Sequence, residues 1–234
     1  MLRQVFTRPE KVVVFRRQLL LEIESLGIDS LGIIAIISIF MGMVITIQTA
    51  SNIDSVWIPK YTVGFTTRQS VILEFSPTII ALILAGKVGS NIASEIGTMR
   101  VTEQIDALKI MGINPAGYLI LPKITAGVII NPFLIIISMF LGVGAGYAIC
   151  ALTGLVPIGD YIYGIQLDFR SFDVAYALIK TVIFAFLITS VSAYHGYHTS
   201  GGALEVGRSS TRAVVYSSIT ILIFNYIITQ LLLI

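Results

Sequence analysis

Long apolar stretches separated by short polar segments organise the chain. Five of them stand out, at about 30–53, 66–92, 124–153, 172–197 and 213–234. A helix needs about 20 mostly apolar residues to cross a bilayer, and only helices or closed barrels satisfy their backbone groups in lipid. The stretches lack the alternation of barrel strands. The pattern therefore predicts an all-α membrane protein with a five-span domain over residues 29–234.

The first 28 residues show a different, helical periodicity. One helical face carries the apolar residues Val12, Phe15, Leu19, Ile23 and Leu26, at spacings of three and four. Charged side chains such as Arg16 and Glu22 lie off that face. We therefore predict that residues 1–28 form an amphipathic helix lying in the cytoplasmic interface. The alternative is a solvated leader that packs on the protein.

Composition excludes several classes of function. Of the 234 residues, 56% are hydrophobic and 12% are charged, against about 25% charged in a soluble domain. A net charge of +2 is too small to indicate nucleic-acid binding. The Gly-x-x-x-x-Gly-Lys-Ser/Thr nucleotide motif is absent from the sequence, and two histidines with one cysteine offer little for a metal site. We expect a non-catalytic membrane subunit with no metal or cofactor of its own.

The basic residues predict the orientation of the spans. Eleven of the 15 fall in the leader and in the segments after spans two and four: Arg3, Arg8, Lys11, Arg16, Arg17, Lys87, Arg100, Lys109, Lys123, Arg208 and Arg212. Because Lys and Arg are enriched in cytoplasmic segments, this distribution predicts a cytoplasmic amino terminus and an outward-facing carboxyl terminus. The opposite segments contain Asp54, Lys60, Arg68, Asp160, Asp168, Arg170 and Asp173.

The segment between spans two and three carries a compact group of mixed charges. Over about 94–110 its apolar residues Val101, Ile105 and Leu108 fall within about 60° on a helical wheel. We therefore predict one short amphipathic helix, punctuated by Gly97 and by the turn at 112–115. One alternative is a solvated connecting helix. Another is local pairing of Arg100 with Glu103 or Gln104, as i,i+3 and i,i+4 spacings allow.

The run Ser94-Glu95-Ile96-Gly97-Thr98-Met99-Arg100-Val101-Thr102-Glu103-Gln104-Ile105-Asp106-Ala107-Leu108 closely resembles the signature of the MlaE-like permeases. These are the membrane subunits of MCE-type ABC lipid transporters. The resemblance extends over most of the chain, through the basic leader, the five spans, and Gly112 to Pro115 followed by Pro122.

The resemblance implies both partners and a mechanism. It implies a homodimer in a bacterial inner membrane, a cytoplasmic ABC ATPase that binds ATP and Mg²⁺, and an MCE-domain lipid-binding protein on the outer face. The cargo would be phospholipid moved between the inner and outer membranes. The 94–110 segment would be the coupling helix that docks on the ATPase. Its expected contact residues are Glu95, Thr98, Met99, Arg100, Glu103, Gln104, Asp106 and Leu108.

Ionisable and small residues within the spans suggest further roles. Ionisable groups in a bilayer tend to face a cavity or a partner. We predict that Glu74 and Arg68, with Pro77 kinking the helix, line an outward-facing lipid cavity. The alternative is a Glu74 side chain that reaches water at the interface. For Lys180 we expect the long stem to extend to the outer interface.

Two glycines in span three, Gly142 and Gly146, have the small-xxx-small spacing that permits close helix contact. Pro132 in the same span is expected to kink or interrupt the helix.

Two other functions remain compatible with the residues. The chain would be a membrane scaffold if its polar segment merely recruited a cytoplasmic protein. It would carry sterol or another hydrophobic cargo if the cavity were built for one, since apolar substrates leave few polar signatures. An ion channel is disfavoured, because no filter-like loop or ring of buried charges is apparent in the sequence.

Overall fold

A computed structural model describes residues 12–53 and 58–233. The expectations that concern Arg3, Arg8, Lys11 and Asp54 lie outside these residues. The described part of the chain contains helices and no strand. We label the helices α1 (Val12–Asn52), α2 (Tyr61–Val101), α3 (Gln104–Ile110), α4 (Pro115–Thr153), α5 (Ile158–Gln166), α6 (Ser171–Tyr197) and α7 (Ala203–Leu233).

Five of these helices, α1, α2, α4, α6 and α7, are long and apolar enough to cross a membrane. This confirms the predicted class, an all-α membrane protein with five spans. The predicted end of span three near Thr153 is also confirmed. The leader, as far as the structure describes it, continues into the first span as part of α1, through a π-helical turn at Glu24–Ile28.

The charged connection between the second and third spans is much shorter than predicted. Helix α2 continues to Val101 and α4 begins at Pro115, so Lys87 and Lys123 lie within helices and not in a loop. The side-chain amide oxygen of Asn114 accepts a 3.2 Å hydrogen bond from the Ala116 N–H. Proline at the first helical position preceded by Asn is a strong helix start, which explains why α4 begins well before its apolar run.

Proline has different consequences in two of the spans. Pro77 lies inside a π-helical stretch of α2, Val71–Ile79, where the wider turn accommodates a residue that has no N–H to donate. Pro132 lies inside α4, which remains α-helical from Pro115 to Thr153. Of the two predicted outcomes at Pro132, a kink or an interruption, the structure excludes the interruption.

The chain divides into two compact units. The first contains residues 1–30, 81–131 and 181–234, and the second contains residues 31–80 and 132–180. In the first unit the end of α2 packs against α7, with Ile92 and Ile96 fully buried. In the second unit the start of α2 packs against α5, around a core of Val63, Cys150, Val156 and Tyr161.

Two glycines permit the close approach of α2 and α5 in the second unit. A Cβ atom at Gly164 would overlap the carbonyl oxygen of Tyr61 and lie 2.8 Å from the Phe65 nitrogen. A Cβ atom at Gly64 would likewise overlap the Tyr161 carbonyl oxygen. The two backbones therefore touch, as in the glycine-mediated helix pairs of membrane proteins.

Replacing Gly164 by alanine should force α5 away from α2. Overpacking of this kind costs about 1–3 kcal/mol, which exceeds the helix propensity that alanine gains over glycine. Gly159 in the same helix has no atom within 4 Å of an added Cβ, so Gly159→Ala is the matched control. In thermal unfolding of detergent-purified protein we expect a lower Tm for Gly164→Ala only. Equal Tm values for the two variants would contradict this packing.

Candidate functional site

The segment predicted to be one coupling helix is broken in the middle. Helix α2 ends at Val101, and Glu103 adopts a left-handed conformation with φ 60° and ψ 10° before α3 begins at Gln104. The prediction of a single helix over 94–110 is therefore wrong. Gly97, predicted to punctuate the segment, lies inside α2 without ending it, and an added Cβ there would be 3.3 Å from Thr199 and Val206. Its small size serves packing instead of helix termination.

Ion pairs hold the two helices together across the break. The Asp106 carboxylate accepts hydrogen bonds from Arg100 at 2.7 Å and from Lys109 at 2.9 Å. These bonds, from Lys109 first and then Arg100, lower the pKa of Asp106 below its usual value. The predicted pairing of Arg100 with Glu103 or Gln104 is wrong, because the left-handed residue turns the chain and brings Asp106 to the guanidinium.

The predicted contact residues share one exposed segment. Between Thr98 and Ile110, only Ile105 among the apolar residues is fully buried, and it anchors α3 to the first unit. The side chains that face solvent wholly or in part are Thr98, Met99, Arg100, Glu103, Gln104, Asp106 and Leu108. Glu95 is also exposed, but its carboxylate has a partner within the chain. This surface offers a mixture of polar and apolar groups to a second protein.

Two strongly exposed apolar residues at the end of α3 were missed by the sequence reasoning. Ile110 is 87% exposed and Met111 is 64% exposed. Gly112, with φ +79°, ends the helix in the left-handed conformation that glycine adopts most easily. The Ile113 N–H then returns to the Leu108 carbonyl oxygen at 3.0 Å. Apolar residues held at a fixed helix end indicate a contact surface, and the Gly112 that follows them was the available sequence signal.

A buried lysine joins this segment to two other helices of the first unit. Lys123 of α4 is 3% exposed, and its ammonium contacts a Glu22 carboxylate oxygen at 2.6 Å and a Glu95 carboxylate oxygen at 2.7 Å. Glu22 belongs to α1 and Glu95 to α2. A buried ammonium is tolerated only when it is paired and hydrogen-bonded. Lys123 therefore fixes the position of α1 and α2 against α4.

A second buried lysine lies in the second unit. Lys180 of α6 is fully buried, contrary to the predicted extension to the interface. Its ammonium contacts Glu74 Oε1 at 2.7 Å and the Leu73 carbonyl oxygen at 3.3 Å, and it lies 4.5 Å from the ring centre of Tyr176. The Glu74 side chain is 42% exposed, and its other oxygen accepts a 3.2 Å bond from Thr78. Glu74 therefore neutralises a buried cation while its own side chain stays partly exposed.

Arg68 does not share this environment. Its side chain is buried, and it donates to the carbonyl oxygens of Ile165 at 2.8 Å and Leu167 at 2.9 Å. A cation at the last carbonyls of α5 is favourable because these carry the negative end of the helix dipole. The structure therefore gives Arg68 and Glu74 separate partners, and their place in a lipid cavity stays a prediction. Pro77 is likewise buried, in the π-helical stretch of α2.

The two glycines of α4 lie against neighbouring side chains of the second unit. A Cβ atom at Gly142 would be 3.0 Å from Val71 Cγ1, and one at Gly146 would be 2.5 Å from Thr46 Oγ1. Among the described residues there is no group of three or more His, Cys, Asp or Glu side chains that suits a metal ion. The described side chains therefore offer ion pairs and a surface for contact with other proteins.

Comparison with known proteins identifies a family. The model of the family described as permease MlaE matches residues 19–231. A probable ABC transporter permease protein of Rickettsia prowazekii is 38% identical over 210 residues, covering 88% of this chain and 79% of the relative. A probable ABC transporter permease protein of Synechocystis is 34% identical over 229 residues, covering 98% of this chain and 87% of the relative. The intermembrane phospholipid transport system permease protein MlaE of Haemophilus influenzae is 30% identical over 212 residues, covering 90% of this chain and 81% of the relative.

Removal of Glu74 should expose the dependence of Lys180 on its counterion. Breaking a buried pair from one side costs about 3–5 kcal/mol, so Glu74→Gln should lower Tm markedly. The double variant Glu74→Gln with Lys180→Met removes both charges and should recover much of the loss. Thermal unfolding in detergent measures this cycle. Additive losses in the double variant would show that the two side chains do not stabilise each other.

Proposed function

Because this chain belongs to the MlaE permease family, we propose that it is the permease subunit of an ABC transporter that moves phospholipid. The observation that carries the proposal is an exposed segment at the end of an apolar helix, from Thr98 to Met111. We call it the docking segment. Exposed apolar residues surrounded by polar ones typically mark a site where another protein binds. The permease names of the relatives support the same reading.

The proposed setting is a bacterial inner membrane with the amino terminus in the cytoplasm. The distribution of Lys and Arg along the sequence supports this orientation. In this orientation α3 would lie on the cytoplasmic side, where ATP is available, and the carboxyl terminus would lie in the periplasm. In this arrangement the leader, whose exposed residues include Arg16 and Arg17, faces the anionic inner leaflet.

The proposed partner at the exposed segment is a cytoplasmic ABC ATPase. Ile110 and Met111 would supply an exposed apolar anchor, and a few residues that become buried on binding carry most of the free energy of binding at an interface. Glu103, Gln104 and Asp106 surround it with polar groups that set orientation and specificity. ATP and Mg²⁺ would be held by that partner, and hydrolysis would occur there.

Movement of the docked segment would reach the spans through the Lys123 contacts. Closure of the ATPase would displace α3 and the end of α2 as a rigid body. Because Glu95 at the end of α2 shares the Lys123 ammonium with Glu22 of α1, a shift of α2 pulls on α4 and α1 together. Lys123 is therefore a positioning residue for transport.

The proposed complex also contains a second copy of this chain and an MCE-domain lipid-binding protein on the outer face. Phospholipid is the proposed cargo, supported by the printed name of the Haemophilus influenzae relative. A scaffold with the same docking segment would bind the ATPase without moving lipid. A permease for sterol would transfer sterol instead of phospholipid.

Removing the apolar anchor should detach the ATPase while leaving the permease folded. Ile110 is 87% exposed, so Ile110→Ser costs little within the chain, yet loss of an interface anchor typically weakens binding at least about tenfold. The control is Leu152→Ser, at a residue near the end of α4 that is 81% exposed. Co-purification of the ATPase, encoded beside this chain or supplied from a relative's system, measures binding, and Glu103→Lys with Asp106→Lys should also abolish it.

Normal co-purification with Ile110→Ser and with the Lys variants would contradict the docking assignment. ATP-dependent transfer of labelled phospholipid between reconstituted vesicles then tests the transport itself. Binding of the ATPase without ATP-dependent lipid transfer would favour the scaffold, and selective transfer of sterol would replace the cargo.

A further inference from the structure

A polar cavity of about 460 Å³ opens in the first unit. Its walls are formed by Ser25 and Asp29 of α1 and by Lys87, Ser90, Asn91 and Ser94 of α2. The volume lies within the range of small-molecule sites, which run from about 300 to 1,000 Å³. The lining is unusual for an apolar protein, because every one of these side chains carries a polar group.

The cavity contains one cation and one anion. The Lys87 ammonium donates to the backbone carbonyl oxygen of Asp29, which uses one of its three N–H groups. The Asp29 carboxylate enters no ion pair with the residues that the structure describes. Lys87 therefore retains donors for an anionic group, and Asp29 retains acceptors for a cationic one.

Hydrogen bonds hold the helices around the cavity and leave some of its polar side chains available to a ligand. Ser210 of α7 donates to the Ser90 carbonyl oxygen at 3.1 Å, and the Ser90 hydroxyl bonds to the carbonyl oxygens of Gly86 and Lys87. These contacts fix α7 and α2 around the cavity. The side chains of Ser25 and Asn91 remain at its surface as additional donors and acceptors.

The two charges mark one end of the apolar part of their helices. Asp29 immediately precedes the uncharged run 30–53 of α1, and Lys87 immediately follows the uncharged run 75–86 of α2. Such positions correspond to the boundary between hydrocarbon and headgroups. Next to Asp29 along α1, Ile28 is 61% exposed, which provides apolar surface for acyl chains.

We propose that this cavity binds the headgroup of a zwitterionic phospholipid from the surrounding leaflet. Lys87 contacts the phosphate, Asp29 contacts the ammonium, and the acyl chains lie along the apolar surface of α1. The inference rests on the proposed lipid-permease function and adds a lipid site on the side of the protein that carries the docking segment. A soluble phosphate ester with an amine shares the headgroup chemistry, but it gains nothing from the apolar surface.

The test uses the full chain in detergent without any ATPase. Binding of short-chain phosphatidylethanolamine, short-chain phosphatidylglycerol and glycerophosphoethanolamine is measured by native mass spectrometry. We expect Lys87→Gln to weaken both lipids about tenfold, as loss of a charge-assisted phosphate contact does. Asp29→Asn should weaken only the ethanolamine lipid. Asn91→Leu fills the cavity without touching either charge and should weaken both lipids, and Lys60→Gln, at an exposed cation of the second unit, should weaken neither.

Each outcome decides a separate point. Unchanged binding in Lys87→Gln and in Asn91→Leu would overturn the site, and binding of glycerophosphoethanolamine as tight as that of the lipid would replace the lipid by a soluble ligand. Equal losses for both lipids in Asp29→Asn would overturn the headgroup assignment. Because no ATPase is present, a failure of ATP-driven lipid transfer leaves this binding result intact and refutes only the proposed transport.

Discussion

The position of the docking segment depends on one buried ammonium group. Lys123 is 3% exposed and lies within 2.7 Å of two carboxylates, so it cannot move without leaving a charge unpaired in a poorly hydrated environment. The two carboxylates come from α1 and α2. Three helices are therefore tied at one point, and a force applied to the end of α2 is carried into the other two.

The second unit uses the same physical solution for a different purpose. Lys180 is fully buried against Glu74 and the Tyr176 ring, but its counterion stays partly exposed. In the first unit the cation closes a junction between helices. In the second it holds a carboxylate at the surface of a span, where ionisable groups are costly and usually functional. The few charges within the spans thus have distinct roles, set by what surrounds each one.

The sequence predicted the number and type of the helices because hydrocarbon demands long apolar runs. It failed where charged residues lie inside helices, since Lys87 and Lys123 were assigned to the segment after span two. Their partners lie 58 and 101 residues away along the chain, and such pairs are invisible without the fold. The break at Glu103 was also hidden, because glutamate seldom adopts a left-handed conformation and nothing in its neighbours announces one.

The coupling ratio of the reconstituted complex tests the central claim most directly. Lipid molecules transferred per ATP hydrolysed are compared between the natural chain and Lys123→Gln. The control is Lys60→Gln, at an exposed cation outside the docking segment and the buried junction. If Lys123 conveys the movement, the variant retains ATPase binding and hydrolysis while the ratio falls at least about tenfold, the effect of losing more than 1.4 kcal/mol of coupling. An unchanged ratio in a folded, ATPase-bound Lys123→Gln complex would contradict the account.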